Sequence, residues 1–178
     1  MPETSVANTL RRPRGPRKTA REEAEIPITA PHPDPSTGLD TRYLETLLGY
    51  NARRAALAVI SVFLQRMAAF GLKPVDFSVL TLIAHNPGVT SRQLCAALDI
   101  LPPNLVGMIK SLDARGLIVR RPHPTDRRAQ GLHLSPAGKR LQREAQATAT
   151  ELEQDVASPL SAAELDTLKS LLRRVYQH

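Results

Sequence analysis

Residues 116–138 read GLIVRRPHPTDRRAQGLHLSPAG, and they carry the most specific information about the fold. Its segment 117–120 is rich in β-forming residues. A second segment, 130–134, alternates polar and apolar residues, which is typical of a half-buried strand. Residues 122–129 between them are polar and contain two prolines. The stretch therefore predicts a β-hairpin with a polar tip.

Helix signals surround the hairpin on both sides. Ser135 suits a helix N-cap and Pro136 the first helical position, so a long helix to about residue 157 should follow. Upstream, Thr90 and Gln93 have capping-box spacing and open a helix that ends near Leu98. A next helix, 102–114, begins at a proline and is closed by Gly116. Two short helices followed by a hairpin describe a winged helix-turn-helix.

Apolar periodicity predicts further helices at both ends. From Asp40, apolar residues recur at three- and four-residue steps and predict one long amphipathic helix that Gly71 ends in a left-handed cap. Pro74 then suits the first turn of a helix that stops at the turn 86–88. After an interruption at 158–159, Ser161 and Glu164 form a second capping box and open the last helix.

The composition suggests nucleic acid as a binding partner and excludes or disfavours several classes of protein. The 178 residues carry 24 Lys+Arg against 17 Asp+Glu, a net charge of +7, and such a basic balance suggests an anionic partner. One cysteine excludes a disulfide framework and a cysteine-based zinc site. The absence of Trp and the 3% aromatic content disfavour proteins that stack single-stranded bases. With no apolar run of membrane length and no secretory leader, we expect a soluble, cytoplasmic protein without membrane contact.

The first 38 residues differ from the rest of the chain. They hold seven of the fifteen prolines and a basic cluster, Arg11 to Arg21, followed by acidic residues. This composition predicts a disordered Pro/Arg-rich tail. A DNA-seeking arm and a solvated linker or misassigned start are both open, and charge runs of this kind favour the latter.

The chain resembles the MarR family of bacterial transcriptional regulators over about residues 42–177. The matching motifs are Phe77-x-x-Leu80, Asn86-Pro87-Gly88-Val89-Thr90, Leu94-x-x-x-Leu98, Leu112-x-x-x-Gly116-Leu117-Ile118-x-Arg120, Asp126-Arg127-Arg128 and Leu134-Ser135-Pro136-x-Gly138, with Leu48-Gly49-Tyr50 and Arg53-Arg54 further upstream. Many families share a winged helix. The part from Gly116 to Gly138 is the most specific.

The resemblance implies a mainly α fold: a winged helix-turn-helix of about six helices plus a β-hairpin wing, with long N- and C-terminal helices that form a dimerisation platform. The implied organisation is the tail 1–38, a dimerisation helix 39–73, the DNA-binding domain 74–135 and C-terminal dimerisation helices 136–178. The implied homodimer would interlock through apolar residues of its first and last helices: Leu44, Leu47, Leu160, Leu165, Leu168, Leu172 and Val175.

The helix 102–114 is the expected recognition helix, which lies in the major groove. Its outward residues are Pro103, Asn104, Gly107, Lys110 and Ser111. The Asn104 amide can pair with adenine N6 and N7. Pro103 and Gly107 allow close approach, and Lys110 suits phosphate. Because the family often has a polar or basic residue where Gly107 stands, we expect few direct base contacts and a larger contribution of DNA shape to recognition.

The wing and two helix ends supply the other candidate DNA contacts. The wing carries Arg120, Arg121, Arg127 and Arg128 with Asp126 opposing them. The resemblance implies that Arg128 enters the minor groove while Asp126 pairs with a nearby arginine. The residues Thr90, Ser91 and Arg92 begin a helix, where phosphate binding and plain capping are both open. Arg115 could touch phosphate or complement the helix dipole.

An effector site is implied by the same resemblance, between the platform and the winged domain. Its candidate lining is Tyr50, Arg53, Arg54, Phe63, Phe70 and His85. Arginines among aromatic rings would suit a small aromatic carboxylate or phenolic compound. Each aromatic could equally belong to the core, and each arginine to the surface.

No catalytic or cofactor chemistry is predicted. Phosphate loops, nucleophile elbows and dinucleotide fingerprints are absent from the sequence. The five histidines lack metal-ligand spacing. Cys95 lies on an apolar helix face, which favours packing over a redox sensor.

The resulting hypothesis is a sequence-specific, double-stranded DNA-binding transcriptional regulator. It would act as a ligand-responsive homodimeric repressor on a pseudo-palindromic operator, with no metal, no cofactor and no enzymatic activity. Two alternatives stay open: a non-specific architectural nucleic-acid-binding protein, and a protein-interaction module on the same fold.

Overall fold

The computed structural model describes residues 39–122 and 130–177. In chain order its elements are α1 (Arg42–Glu45), α2 (Leu48–Met67), a 3-10 turn (Ala68–Phe70), α3 (Pro74–His85), α4 (Ser91–Leu98), α5 (Pro102–Ala114), β1 (Ile118–Pro122), β2 (Gln130–Leu134), α6 (Pro136–Ala157) and α7 (Ala162–Tyr176). This order confirms the predicted, mainly helical winged helix-turn-helix. The N-terminal tail and the hairpin tip with Asp126, Arg127 and Arg128 lie outside the described residues.

The prediction of one long first helix is wrong in one respect, because the helix is interrupted between α1 and α2. Leu47 is extended, with φ −92° and ψ 127°. The Thr46 hydroxyl donates to the carbonyl of Tyr43 at 2.7 Å. The Asn51 amide donates to the carbonyls of Glu45 at 2.7 Å and Leu47 at 2.9 Å. These bonds offer the backbone an alternative to the helical ladder, which hydrophobic periodicity cannot reveal.

The predicted helix caps are confirmed. Gly71 adopts φ 58° at the end of the 3-10 turn. The Thr90 hydroxyl accepts the Gln93 N–H at 3.3 Å, and the Gln93 side chain accepts the Thr90 N–H at 2.9 Å. At α7, the hydroxyl and backbone N–H of Ser161 donate to the Glu164 carboxylate. These bonds hold the pKa of Glu164 below its ordinary value.

One hydrophobic core joins the helices to the hairpin. Its buried residues are Phe63, Met67, Leu72, Val79, Leu80, Ile83, Leu94, Leu105, Ile109, Leu112, Leu117, Ile118, Leu132, Leu134, Ala145 and Leu152. These residues come from α2 through α6, so the inner face of α5 is fixed against α3, α4 and the hairpin. The outer face of α5 is thereby left to solvent.

The hairpin is antiparallel, with Ile118 opposite Leu134 and Arg120 opposite Leu132. An isolated bridge from Val89 to Leu132 adds the α3–α4 turn to its edge. A Cβ at Gly131 would lie 2.9 Å from the carbonyl oxygen of Gly88. The wing is therefore seated closely on the turn that precedes α4.

Ser135 joins the end of α5, the hairpin and the start of α6. Its hydroxyl donates to the carbonyl of Gly116 at 2.6 Å and accepts the N–H of Gly138 at 3.0 Å. Its own N–H donates to the carbonyl of Leu117 at 3.0 Å. A Cβ at Gly138 would lie 1.9 Å from that Leu117 oxygen. Hydrogen bonding therefore explains the serine of the Leu-Ser-Pro-x-Gly motif, and close packing explains its last glycine.

No single helix among the described residues is long and apolar enough to cross a membrane. Among them, only a pair of helices bent by 67°, Leu48–Phe70 with Pro74–His85, combines such length and composition. Within residues 39–122 and 130–177, no three His, Cys, Asp or Glu side chains are grouped so that they could hold a metal ion.

Candidate nucleic-acid interface

The α5 helix presents a continuous exposed face. The five residues predicted to point outward, Pro103, Asn104, Gly107, Lys110 and Ser111, are all exposed. The opposite face is sealed in the core by three fully packed apolar side chains. No acidic residue occurs between positions 103 and 111. This face can therefore approach a polyanion without like-charge repulsion.

Sequence reasoning missed two residues of this face. Val106 is 50% exposed, and Leu101, at the N-cap of α5, is 60% exposed. Val106 shares the spacing i, i+3, i+4, i+7 with Pro103, Gly107 and Lys110, so helical geometry places all four on one side. That spacing could have revealed it, but an apolar residue in a helix is normally assigned to the core. Exposed apolar groups on such a face suit thymine methyl groups in the major groove.

Gly107 has no packing role in the described structure. A Cβ built there would meet no atom within 4 Å. A glycine in the middle of a helix lowers stability by roughly 0.5–1 kcal/mol relative to alanine. The missing side chain therefore leaves room on the outer face, as close approach to DNA requires.

The residues at the N-terminus of α4 have two different roles, because one caps the helix and the next two are exposed to solvent. The Thr90 hydroxyl is engaged with Gln93, as an accepting and a donating group. Capping is therefore the observed role of Thr90. Ser91 and Arg92 are exposed beside the free N–H groups of the first turn. They remain the candidates for a phosphate contact at this helix end.

The two described wing arginines point in different directions. Successive strand residues face opposite sides of a sheet. Arg120 forms an ion pair with Asp113 of α5 at 3.6 Å, so it lies on the side of the recognition helix. Arg121 lines a cleft with residues of α3 and α6. Only Arg120 is therefore placed beside α5 by the described contacts.

Arg115 has a role that neither sequence-based alternative contained. Its guanidinium donates to the carbonyl of Phe70 at 2.7 Å and to the carbonyl of Gly71 at 2.9 Å. These carbonyls end the 3-10 turn that follows α2. Arg115 therefore ties the C-terminal end of α5 to the end of the first long helix, across more than forty residues of sequence.

We expect Arg115→Ala to lower the free energy of unfolding by about 1–2 kcal/mol, because two charge-assisted hydrogen bonds are lost. Arg115→Lys replaces the forked guanidinium by one compact ammonium group, so its free energy of unfolding should lie between those of the wild type and Arg115→Ala. Urea denaturation monitored by circular dichroism measures this. Unchanged stability combined with weaker DNA binding would instead identify Arg115 as a phosphate contact.

The predicted effector residues are only partly brought together. The Arg54 guanidinium lies 5.9 Å from the centroid of the Tyr50 ring. Phe63 is buried and packs edge-to-face on Phe77, with ring centroids 5.8 Å apart. One cleft of about 520 Å³ lies between α3 and α4, and one of about 290 Å³ beside α6. None of the six predicted effector residues lines either cleft, so the effector site stays a prediction.

Apolar side chains are exposed at both ends of the described chain. Six of the seven predicted dimer residues, all but the half-buried Leu165, are exposed. Further exposed residues that the sequence analysis did not assign to the dimer interface are Leu39, Tyr43, Leu48, Leu171 and Tyr176. This set of exposed apolar residues is a candidate interaction surface.

Comparison with known proteins agrees with this geometry. The model of the MarR family matches residues 70–129. A Thauera aromatica protein, described as a candidate transcriptional regulatory protein for the hcr operon, is 34% identical over 131 residues, 73% of this chain and 79% of the relative.

Two solved structures of the transcriptional repressor CouR are also similar. CouR bound to a 23-mer DNA duplex is 38% identical, with a TM-score of 0.73, and the match covers 77% of this chain and 97% of CouR. CouR bound to p-coumaroyl-CoA is 36% identical, with a TM-score of 0.70, over 77% and 96% of the two chains.

These relatives are regulators of transcription, which confirms the expectation of a regulator rather than an enzyme. The fold, the exposed face of α5 and the matched residues lead to the same conclusion. The chain belongs to the MarR family of transcriptional regulators.

Proposed function

We propose that this regulator is a homodimeric repressor that reads a pseudo-palindromic operator and is released by a small aromatic effector. The observation that carries the proposal is the outer face of α5, which is exposed, free of acidic residues between 103 and 111, and fixed from behind by the core. A relative of 38% identity has been solved on a DNA duplex. Phosphate contacts would position the domain, and α5 would supply base readout.

The exposed apolar residues of α1, α7 and the turn before α7 support the proposed homodimer. Their burial against a second copy would form a platform that fixes the distance between two α5 helices. That distance must be about one DNA turn, ~34 Å, if both helices are to engage half-sites at once. The symmetry of the operator would then mirror the symmetry of the protein.

Fluorescence anisotropy tests the DNA-binding proposal. Labelled duplexes tiling the DNA upstream of the gene that encodes this protein are titrated beside a scrambled duplex at two salt concentrations. A preference of about 10³ or more for one pseudo-palindrome would support a specific regulator. Equal, salt-sensitive binding to all probes would favour an architectural role. Absence of binding to every probe would favour an interaction module.

Asn104→Ala should weaken binding to the preferred duplex by ~1–3 kcal/mol, because its amide would no longer pair with a base edge. Binding to the scrambled duplex should change much less. Gln154→Ala, which removes an exposed amide from α6, serves as the matched control. Equal losses on both duplexes would contradict a base-reading role for Asn104.

The proposed effector is an aromatic acid or its coenzyme A thioester. Support comes from CouR, which has been solved with p-coumaroyl-CoA, and from the contact between Arg54 and Tyr50. Such a ligand acts only if it binds the DNA-incompetent arrangement more tightly than the competent one.

Release of the labelled duplex tests the effector. We expect p-coumaroyl-CoA to release the operator, with coenzyme A alone as the control, and Arg54→Ala to raise the concentration required. Release by coenzyme A alone would contradict recognition of the aromatic group. Release by neither compound would leave the DNA-binding proposal intact and remove p-coumaroyl-CoA as the effector.

A further inference from the structure

The second cleft lies between the end of α3, the hairpin and the first two turns of α6, and its volume is about 290 Å³. Its apolar lining includes the side chains of Ile83, Pro87 and Leu134. Gln142, a buried amide of α6, also contributes. Apolar side chains combined with a few polar groups are typical of small-molecule sites.

Three cationic side chains also line the cleft. Arg121 comes from β1, and Lys139 and Arg143 come from α6, one helical turn apart. His133 of β2 lines the same cleft, and its imidazole would lie 3.7 Å from a Cβ built on Gly88. No carboxylate lines the cleft, and within the described residues no ion pair involves these three cations. Like charges held together in this way are stabilised by an anion.

The cleft faces away from the recognition helix. Arg120 reaches toward α5, where it pairs with Asp113. Arg121, the next residue of the strand, projects to the opposite side of the hairpin. An anion in the cleft would therefore be separate from the groove-reading face of α5.

We propose that this cleft binds a small phosphate-bearing molecule. A monocarboxylate needs one bidentate arginine, whereas two arginines and a lysine that converge from two elements match an anion with several charges. The occupant would join Arg121 and His133 of the hairpin to Lys139 and Arg143 of α6. This assigns Arg121 to a ligand contact, where sequence reasoning had placed it on DNA. The proposal does not depend on the identity of the operator or of the aromatic effector.

Isothermal titration calorimetry with inorganic pyrophosphate tests it, on the full chain in a buffer free of phosphate and magnesium. We expect saturable binding with one site per chain, and at least tenfold weaker binding by the double variant Lys139→Gln, Arg143→Gln. The control variant Arg140→Gln, Arg173→Gln removes the same charge from two exposed positions outside the cleft. It should bind within twofold of the wild type. Benzoate, as a monoanion, should bind at least tenfold more weakly than pyrophosphate.

A second readout locates the anion. In nitrogen-15 spectra, pyrophosphate should shift the imidazole signals of His133 and leave those of His85, at the end of α3, unchanged. Lack of saturation by the wild type, equal weakening in both double variants, or unchanged His133 signals would each overturn the proposal.

Titration of the same variants with duplex DNA separates the two sources of phosphate. A loss of DNA affinity in the cleft variant, without pyrophosphate binding by the wild type, would show that the cleft holds the DNA backbone and would overturn the small-molecule assignment. Wild-type binding to DNA is measured without pyrophosphate, so failure of the cleft proposal is distinguishable from failure of operator binding.

Discussion

Gly138→Ala is expected to lower the free energy of unfolding by ~3 kcal/mol or more, enough to prevent stable folding of a marginal domain. The added Cβ would lie 1.9 Å from the carbonyl oxygen of Leu117. That oxygen already accepts the N–H of Ser135, and neither backbone segment can move without opening the junction between α5, the hairpin and α6. Thermal unfolding followed by circular dichroism should show a melting temperature lower by roughly 6–12 °C.

A matched control exists on α5. Gly107→Ala also adds one methyl group to a helix interior, but its Cβ would meet no atom within 4 Å. We expect this variant to be more stable than the wild type by ~0.5–1 kcal/mol, since alanine restricts the unfolded chain and favours helix. Comparable destabilisation by both substitutions would contradict contact with Leu117 as the cause of the effect at Gly138.

Leu172→Glu should convert the dimer to monomers at micromolar concentration. Leu172 is 41% exposed on α7, and in the proposed dimer it is covered by the second copy. Burying a carboxylate in an apolar interface costs several kcal/mol, and ~3 kcal/mol alone raises a dissociation constant more than 100-fold. Operator affinity should fall with it, because each monomer engages one half-site.

Ser170→Glu provides the control for this experiment. It adds the same charge to an exposed position on the opposite side of the same helix, so the dimer should persist. Sedimentation velocity over a range of concentrations measures both variants. A monomeric wild type, or equal dissociation by the two variants, would contradict a dimer interface along the apolar side of α7.

The elements that were predictable from sequence are those whose ends carry local chemical signals. Thr90 with Gln93, Ser135 with Pro136, and Ser161 fixed the starts of α4, α6 and α7, because side-chain caps act within four residues. The hairpin followed from alternation in residues 130–134. Five exposed residues of α5 also followed from its helical period, whereas exposed Val106 was missed.

Contacts between distant parts of the chain were not predictable in this way. The bonds from Arg115 to Phe70 and Gly71 join residues that no periodic pattern relates. The break before Leu48 arises from hydrogen bonds of Thr46 and Asn51 that compete with a regular helix. The bonds of Arg115 are therefore decided by tertiary structure, whereas the break before Leu48 is decided by local side-chain bonds that hydrophobic periodicity does not reveal.

The construction of α5 has an evolutionary consequence. Pro102 begins the helix, the bonds of Arg115 anchor its C-terminal end, and Leu105, Ile109 and Leu112 anchor its inner face. The outward residues take no part in that anchoring. With α5 reading DNA as proposed, substitutions among them would redirect the regulator to new promoters while thermodynamic stability is conserved, so that duplicated copies could diverge in target genes without first acquiring compensating mutations in the scaffold.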